Sequence, residues 1–223
     1  MYGRMLLTNM EFEALLQECI SVYGPMNLDY LVRSVEFTAQ VLAETPRVFA
    51  IRCDLRFAVD TTEYDPDQLI FMQRTDPAVI TRFMESLKSQ IKANHKRNNR
   101  RGEPRLPAYI WCREKDSSAH HHYHVMLFFH RDDYAYLGNY LESDGDNMGV
   151  RIQKAWCSAL NLPHPEHAHL VHFPTKGTYD LFRSTVINRD KIYHDFLFRL
   201  AYLSKQSTKV MDGQRNFGCS QIR

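Results

Sequence analysis

The chain has 223 residues, of which 44% are hydrophobic and 12% aromatic, enough for one domain of generous size with a solid core. It has no run of about eighteen apolar residues, which excludes a membrane-spanning helix. The stretch Met1 to Leu7 lacks the apolar segment and cleavage site of a secretory signal. The formal net charge is only +2, but it is unevenly spread. Between Lys88 and Arg105 stand seven basic residues, Lys88, Lys92, Lys96, Arg97, Arg100, Arg101 and Arg105, against one acid, Glu103. A second basic stretch runs from Arg199 to Arg223, and Arg131 to Asn147 is acidic. Such blocks can neutralise phosphates and gain from counterion release, although many are no more than solvated helix faces. The five cysteines, Cys19, Cys53, Cys112, Cys157 and Cys219, are scattered without C-x-x-C spacing. They read as buried reduced thiols in a cytoplasm-like compartment.

In chain order, Asn9 to Tyr23 has helical spacing and is broken by Gly24-Pro25. Asn27 is placed to cap a second helix carrying Leu28, Leu31, Val35, Ala39 and Leu42, which stops before Pro46. These two helices make an N-terminal element over residues 1–45, ahead of a domain over 46–223. The period then changes to two. Phe49, Ile51, Cys53, Leu55 and Phe57 alternate with Ala50, Arg52, Asp54 and Arg56, as in a half-buried strand with a charged outer face. Residues 61–75 read as an acidic loop, and Pro77 opens a helix reaching about Asn94. Pro107 to Glu114 reads as a strand, 115–119 as a polar turn, and His121 to His130 as a returning antiparallel strand. Tyr136 to Leu141 and Gly149 to Leu160 have helical spacing, Ala168 to Phe173 reads as a short strand, and Arg189 to Gln206 as a long helix. The tail from Met211, with Gly213 and Gly218, reads as irregular. The elements lack a regular strand–helix–strand rhythm, so the class is α+β: a central antiparallel sheet of about five strands flanked by helices.

Residues two apart on a strand share a face, so His122 and His124 present two imidazoles side by side, able to hold one divalent ion. His120 has the same parity and could replace either ligand. A hairpin pairing Tyr109–Glu114 with the histidine strand brings Glu114 beside them, and a carboxylate with two imidazoles leaves open positions for phosphoryl chemistry. On the last helix, Ile192, Phe196, Leu200 and Leu203 form one stripe facing the core, while Tyr202 lies off it with Arg199, Lys205 and Gln206 at helical neighbour positions. A tyrosine among cations is a candidate nucleophile, because nearby positive charge favours phenolate. A second histidine group, His164, His167, His169 and His172, reads as solvent-exposed and not as a second metal site.

Taken in order, the polar strand (Arg52, Asp54), the HxH strand and the Tyr202-x-x-Lys205 helix resemble the three motifs of rolling-circle replication initiators. Relaxases of the same fold place their tyrosine near the N-terminus instead. The segments "WCRE", "HYHVMLFF", "FRLAYLSKQSTK" and "RNFGCSQ" are similar to those of the inovirus gene-2-type, YagK/YfjJ-like replication proteins, over about residues 48–220. The resemblance implies an HUH endonuclease-like fold in the bacterial cytoplasm. It further implies metal ligands at His122, His124 and Glu114, Mg²⁺ or Mn²⁺ as cofactor, and attack by Tyr202 to leave a 5′-phosphotyrosine. Lys205 would lie near the phosphate or metal, and Arg52 and Asp54 would have a structural or DNA-positioning role. Only one tyrosine is in place, since Tyr193 falls on another helix face. The expected partner is single-stranded or locally melted origin DNA, held by Arg52, Lys88, Lys92, Lys96, Arg97, Arg100, Arg101 and Arg199. No GxxxxGK[ST] motif occurs, so unwinding is expected from a host helicase and extension from a host polymerase. Two other readings stand beside this one: a non-catalytic DNA-binding protein on a decayed nuclease scaffold, and a phosphoesterase acting through activated water.

Overall fold

A computed structural model of the chain describes residues 3, 5–58, 73–115, 120–210 and 212–222. Most of the expected acidic loop and of the polar turn before the histidines lies outside these residues. Two helices come first, α1 (Asn9–Tyr23) and α2 (Leu28–Glu44). The Thr8 hydroxyl accepts from Glu11 N and the Glu11 carboxylate accepts from Thr8 N, a reciprocal cap that satisfies two otherwise orphaned donors of the first turn. Gly24, at φ 77°, ends α1 in a conformation glycine adopts without strain, and Asn27 caps α2 as its sequence position suggests.

Among the described residues the sheet has six strands, all antiparallel: β1 (Arg47–Leu55), β2 (Ala108–Glu114), β3 (His122–His130), β4 (Val171–His172), β5 (Thr178–Phe182) and β6 (Phe217–Cys219). Their order is β4–β1–β3–β2–β6, with β5 also pairing β1. Helix α3 (Val79–Arg97) follows β1, and α4 (Met148–Leu160) follows β3. A short helix, α5 (Arg183–Ile187), and then α6 (Lys191–Ala201) follow β5. No helix among the described residues is long and apolar enough to cross a membrane.

Both faces of the sheet are covered. Odd-numbered residues of β1 and β3, such as Ile51, Leu55, Val125 and Leu127, pack against Phe83, Leu87, Ile91 and Trp156 of α3 and α4. Even-numbered residues Val48, Ala50, Met126 and Phe128 pack with Ile110 against α1, α2 and α6, in one core that also holds Leu15, Leu31, Val35 and Phe196. The N-terminal helices therefore share their core with the sheet. This corrects the expectation of a solvent-facing charged side on β1: Arg52 and Asp54 are only 4% and 7% exposed.

Four further differences have local causes. Tyr136–Leu141 is not helical. Gly138 turns the chain at φ 84°, and α4 begins only after Asn147, whose side chain accepts from Val150 N. The expected helix from Arg189 to Gln206 ends at Ala201 and tightens into a 3₁₀ turn over Tyr202–Ser204. The α1–α2 connection takes its last polar groups: Asn27 N donates to Ser204 O at 2.7 Å and Gln206 N to Pro25 O at 2.9 Å. Ile192 is 48% exposed, and Tyr193 takes its place in the core. The tail is not wholly irregular, because β6 pairs β2. Gly218 permits that approach, since a Cβ there would meet the Trp111 ring at 2.7 Å.

Candidate metal centre and the tyrosine beside it

The sheet register builds the centre. Across β1, β3 and β2, Asp54 pairs with His124 and His124 with Cys112, while Glu114 pairs with His122 one step along. All five have the same parity and share the face covered by α1, α2 and α6. Glu114, His122 and His124 each offer one ligand atom, and these atoms lie within 4.8 Å of one another. They are the one such group of three among the described residues. His120 is not in it, for its ring packs 5.7 Å from Phe57, which belongs to the opposite core.

Asp54 and Arg52 set the chemistry of His124. Its Nδ1 lies 2.6 Å from Asp54 Oδ1 and 3.1 Å from Arg52 Nη2. The guanidinium can only donate and the carboxylate only accept, and the carboxylate lies closer, so the 2.6 Å contact assigns the proton to Nδ1. The Nε2 lone pair is then free and faces Glu114 Oε2 at 3.4 Å; both atoms are buried without a hydrogen bond. Orphaned acceptors buried face to face are costly unless a cation lies between them. This donor set fits a divalent ion, and a carboxylate–histidine pair behind a ligand is the usual support for one. Burial opposes the charge on Asp54, but the His124 hydrogen bond and the Arg52 guanidinium hold it well below the usual carboxylate range. Burial likewise opposes the charge on Glu114, and the Lys209 ammonium on its other oxygen counters it.

Tyr202 sits on this same face. Its ring meets His124 edge-on at 5.1 Å and Tyr23 at 5.3 Å. Arg52 lies over it, 4.4 Å from the ring centroid, and Lys205 Nζ lies at 5.6 Å. The expected lowering of its phenol is corrected: burial, then the Glu114 carboxylate, push it above its ordinary value, with Arg52 opposing. Lys205 is held by the N-terminal connection through a bridge to Met26. Arg199, in the last turn of α6 three residues before Tyr202, donates to Thr175 O at 3.5 Å.

The basic tract is elsewhere. Lys88, Lys92, Lys96 and Arg97 lie on α3, over the other face of the sheet. Arg100 and Arg105 reach Asp133 just past the far end of β3, and Arg97 reaches Asp146, so part of the tract is neutralised by the acidic stretch. Lys92, Lys96 and Arg101 are exposed there. The structure brings Arg52, Arg199 and Lys205 to the tyrosine and leaves Lys88, Lys92, Lys96, Arg97, Arg100 and Arg101 apart from it.

Sequence reasoning missed three contributors. Lys209 is buried with its ammonium on Glu114 Oε1. Arg113, 4% exposed, donates to Asn216, Gln214 and Asp212, clamping the loop that carries Lys209. His172, paired with Asp54 across β1 and β4, places Nδ1 3.5 Å from Asp54 Oδ2. Arg113 and Lys209 lie inside segments that carry the family resemblance and His172 inside the short strand expected over Ala168 to Phe173, but no spacing or periodicity marks the role of any of the three.

Fold and centre together define an α+β protein with a two-histidine, one-carboxylate group, buried at Glu114 and His124 and half-buried at His122, and a tyrosine packed against it. The chain belongs to the YagK/YfjJ family: the family described as YagK/YfjJ C-terminal domain matches residues 8–220. That range takes in the N-terminal helices, which the sequence resemblance had left out. The chain is 35% identical over 206 residues to the uncharacterized protein YagK of Escherichia coli (strain K12), covering 90% of this chain and 96% of YagK. It is 35% identical over 177 residues to the uncharacterized protein YfjJ of the same strain, covering 77% of this chain and 83% of YfjJ. No solved structure matches the chain.

Proposed function

We propose that this protein is a metal-dependent, single-tyrosine DNA nicking and joining enzyme, an initiator of rolling-circle replication with an HUH-type centre. The observation that carries the reading is the Tyr202 ring packed against His124, on the sheet face where Glu114, His122 and His124 converge. Glu114, His122 and His124 would hold Mg²⁺ or Mn²⁺, which supplies Lewis-acid polarisation of the scissile phosphate and stabilises charge as it develops. Single-stranded or locally melted origin DNA enters past Arg199, Lys205 and His172, whose polar groups suit a phosphate backbone. The Tyr202 oxygen attacks phosphorus, forming a P–O(Tyr) bond as the P–O3′ bond breaks. The phenol proton is released, and the departing 3′-oxygen takes up a proton to become a free 3′-OH. The 5′-phosphotyrosine conserves the bond energy, so a later attack by a 3′-OH rejoins the strand. Arg52, stacked on the ring and bonded to Asp54, fixes the orientation of both tyrosine and His124. Host helicase and polymerase would supply unwinding and extension in a bacterial cytoplasm.

The test is a labelled oligonucleotide carrying the nick sequence, incubated with Mn²⁺. The wild type is expected to form a covalent adduct and Tyr202→Phe none. DNA retardation without cleavage would favour a non-catalytic DNA-binding protein, and cleavage by Tyr202→Phe would favour a water-activated phosphoesterase.

A further inference from the structure

The charges around the ligand atoms are already paired. Asp54 is matched by Arg52 Nε at 3.2 Å, and Glu114 by Lys209, with both members of each pair almost wholly buried. The histidines add no charge in the neutral form that ligates a metal. A divalent cation entering here would therefore bring two positive charges with no spare anion to meet them. Lys209 is the source of the deficit at Glu114. Its ammonium takes Oε1 and leaves Oε2, which faces His124 Nε2, as the oxygen aimed at the ligand group. In a buried, low-dielectric setting an uncompensated charge is expensive, and the nearest anion that nicking chemistry supplies is the phosphodiester itself.

We propose that Lys209, by neutralising Glu114, makes the centre's grip on its divalent cation depend on a nucleic-acid phosphate, so that cation and strand bind cooperatively. The inference rests on the reading of Glu114, His122 and His124 as a metal centre. Coupling of this kind is reciprocal: whatever the strand adds to cation affinity, the cation adds to strand affinity. It keeps the centre weakly loaded until DNA arrives. Lys209 does this through Glu114 and is a positioning and charge-balancing residue. Arg113 serves it by pinning Asp212, Gln214 and Asn216, and Lys115 N adds a bond to Thr208 O at 2.9 Å.

The measurement is Mn²⁺ affinity by electron paramagnetic resonance, with and without an oligothymidylate, in the Tyr202→Phe background so that no strand is cut. The oligonucleotide is expected to tighten Mn²⁺ binding about tenfold. Lys209→Met should bind Mn²⁺ about tenfold more tightly without DNA and lose most of the coupling, while Lys209→Arg, which keeps the charge, behaves as the parent. Lys209→Met should also gain more thermal stability from added Mn²⁺ than the parent does. An Mn²⁺ affinity in the parent that is indifferent to the oligonucleotide overturns the proposal, whether or not Lys209→Met folds. So does a Lys209→Met protein that is merely less stable with parental Mn²⁺ affinity, which would make Lys209 a staple for its loop. Absence of Mn²⁺ binding under every condition would remove the metal centre itself, a different failure from loss of coupling alone.

Discussion

Asp54 accepts from His124 Nδ1 at 2.6 Å, and this contact leaves Nε2 as the nitrogen able to bind a cation. Asp54→Asn can turn its amide NH₂ toward Nδ1 and favour the wrong tautomer. We expect this variant to keep its secondary structure by circular dichroism and to lose about 10–100-fold in Mn²⁺ affinity, the usual effect of removing such a support. Parental affinity in Asp54→Asn would mean that Asp54 does not set the tautomer. Part of this residue-scale arrangement is legible in the sequence. His122 and His124 share a face because strand side chains alternate, and Glu114 meets them because a short hairpin fixes the register. Lys209 is not legible, since it reaches Glu114 through a non-repeating loop held by Arg113. The phenol of Tyr202 was misjudged for a related reason: sequence shows the cations nearby but not the burial and carboxylates that outweigh them.

At the scale of elements, the α1–α2 connection decides where the tyrosine turn lies. Pro25–Asn27 bind Ser204–Gln206 through two backbone hydrogen bonds, and α1 is stitched to the segment before α6 by Glu11 and Arg189 at 2.9 Å. Hydrogen bonding to Arg189, and then to Thr8 N, lowers the Glu11 carboxyl below its ordinary value. Its folded-state value thus lies below its unfolded one, so the stability it adds is present above the ordinary carboxylate range and fades as pH falls through the lowered value. Glu11→Gln can keep the capping box, because glutamine also serves at that position, and removes only the charge. Chemical denaturation should find Glu11→Gln less stable than the parent at neutral pH, with the gap closing in acid; a gap that persists or widens in acid contradicts the assignment. The same scale explains why β1 was read as half exposed. Arg52 and Asp54 have the alternation of a solvent face, but that face is roofed by the N-terminal helices and by Tyr202, contacts no local pattern announces. Strands β5 and β6 went unread because they are short and their pairing partners lie far away in sequence.

At the scale of the whole molecule, the sheet separates two regions of positive charge. One comprises Arg52, Arg199 and Lys205 around the tyrosine. The other, on α3 and the turn after it, meets the far end of β3, where Arg105 lies 2.7 Å from His130. His130 is six residues along the strand from His124, about 20 Å at the rise of a β-strand. Reversing Lys92 and Lys96 to glutamate should therefore leave cleavage of a short single-stranded oligonucleotide close to parental, while weakening retention on longer duplex DNA and flattening its salt dependence. A comparable loss on the short oligonucleotide would place the tract in the strand's path to the tyrosine.

The central claim is that Tyr202 becomes bonded to DNA, and mass spectrometry of the digested product tests it directly. After reaction with Mn²⁺ and a nick-site oligonucleotide followed by nuclease trimming, the peptide carrying Tyr202 should bear a residual nucleotide through its 5′-phosphate, with a free 3′-OH on the other fragment. Cleaved DNA with a free 5′-phosphate and an unmodified Tyr202 peptide would contradict the account.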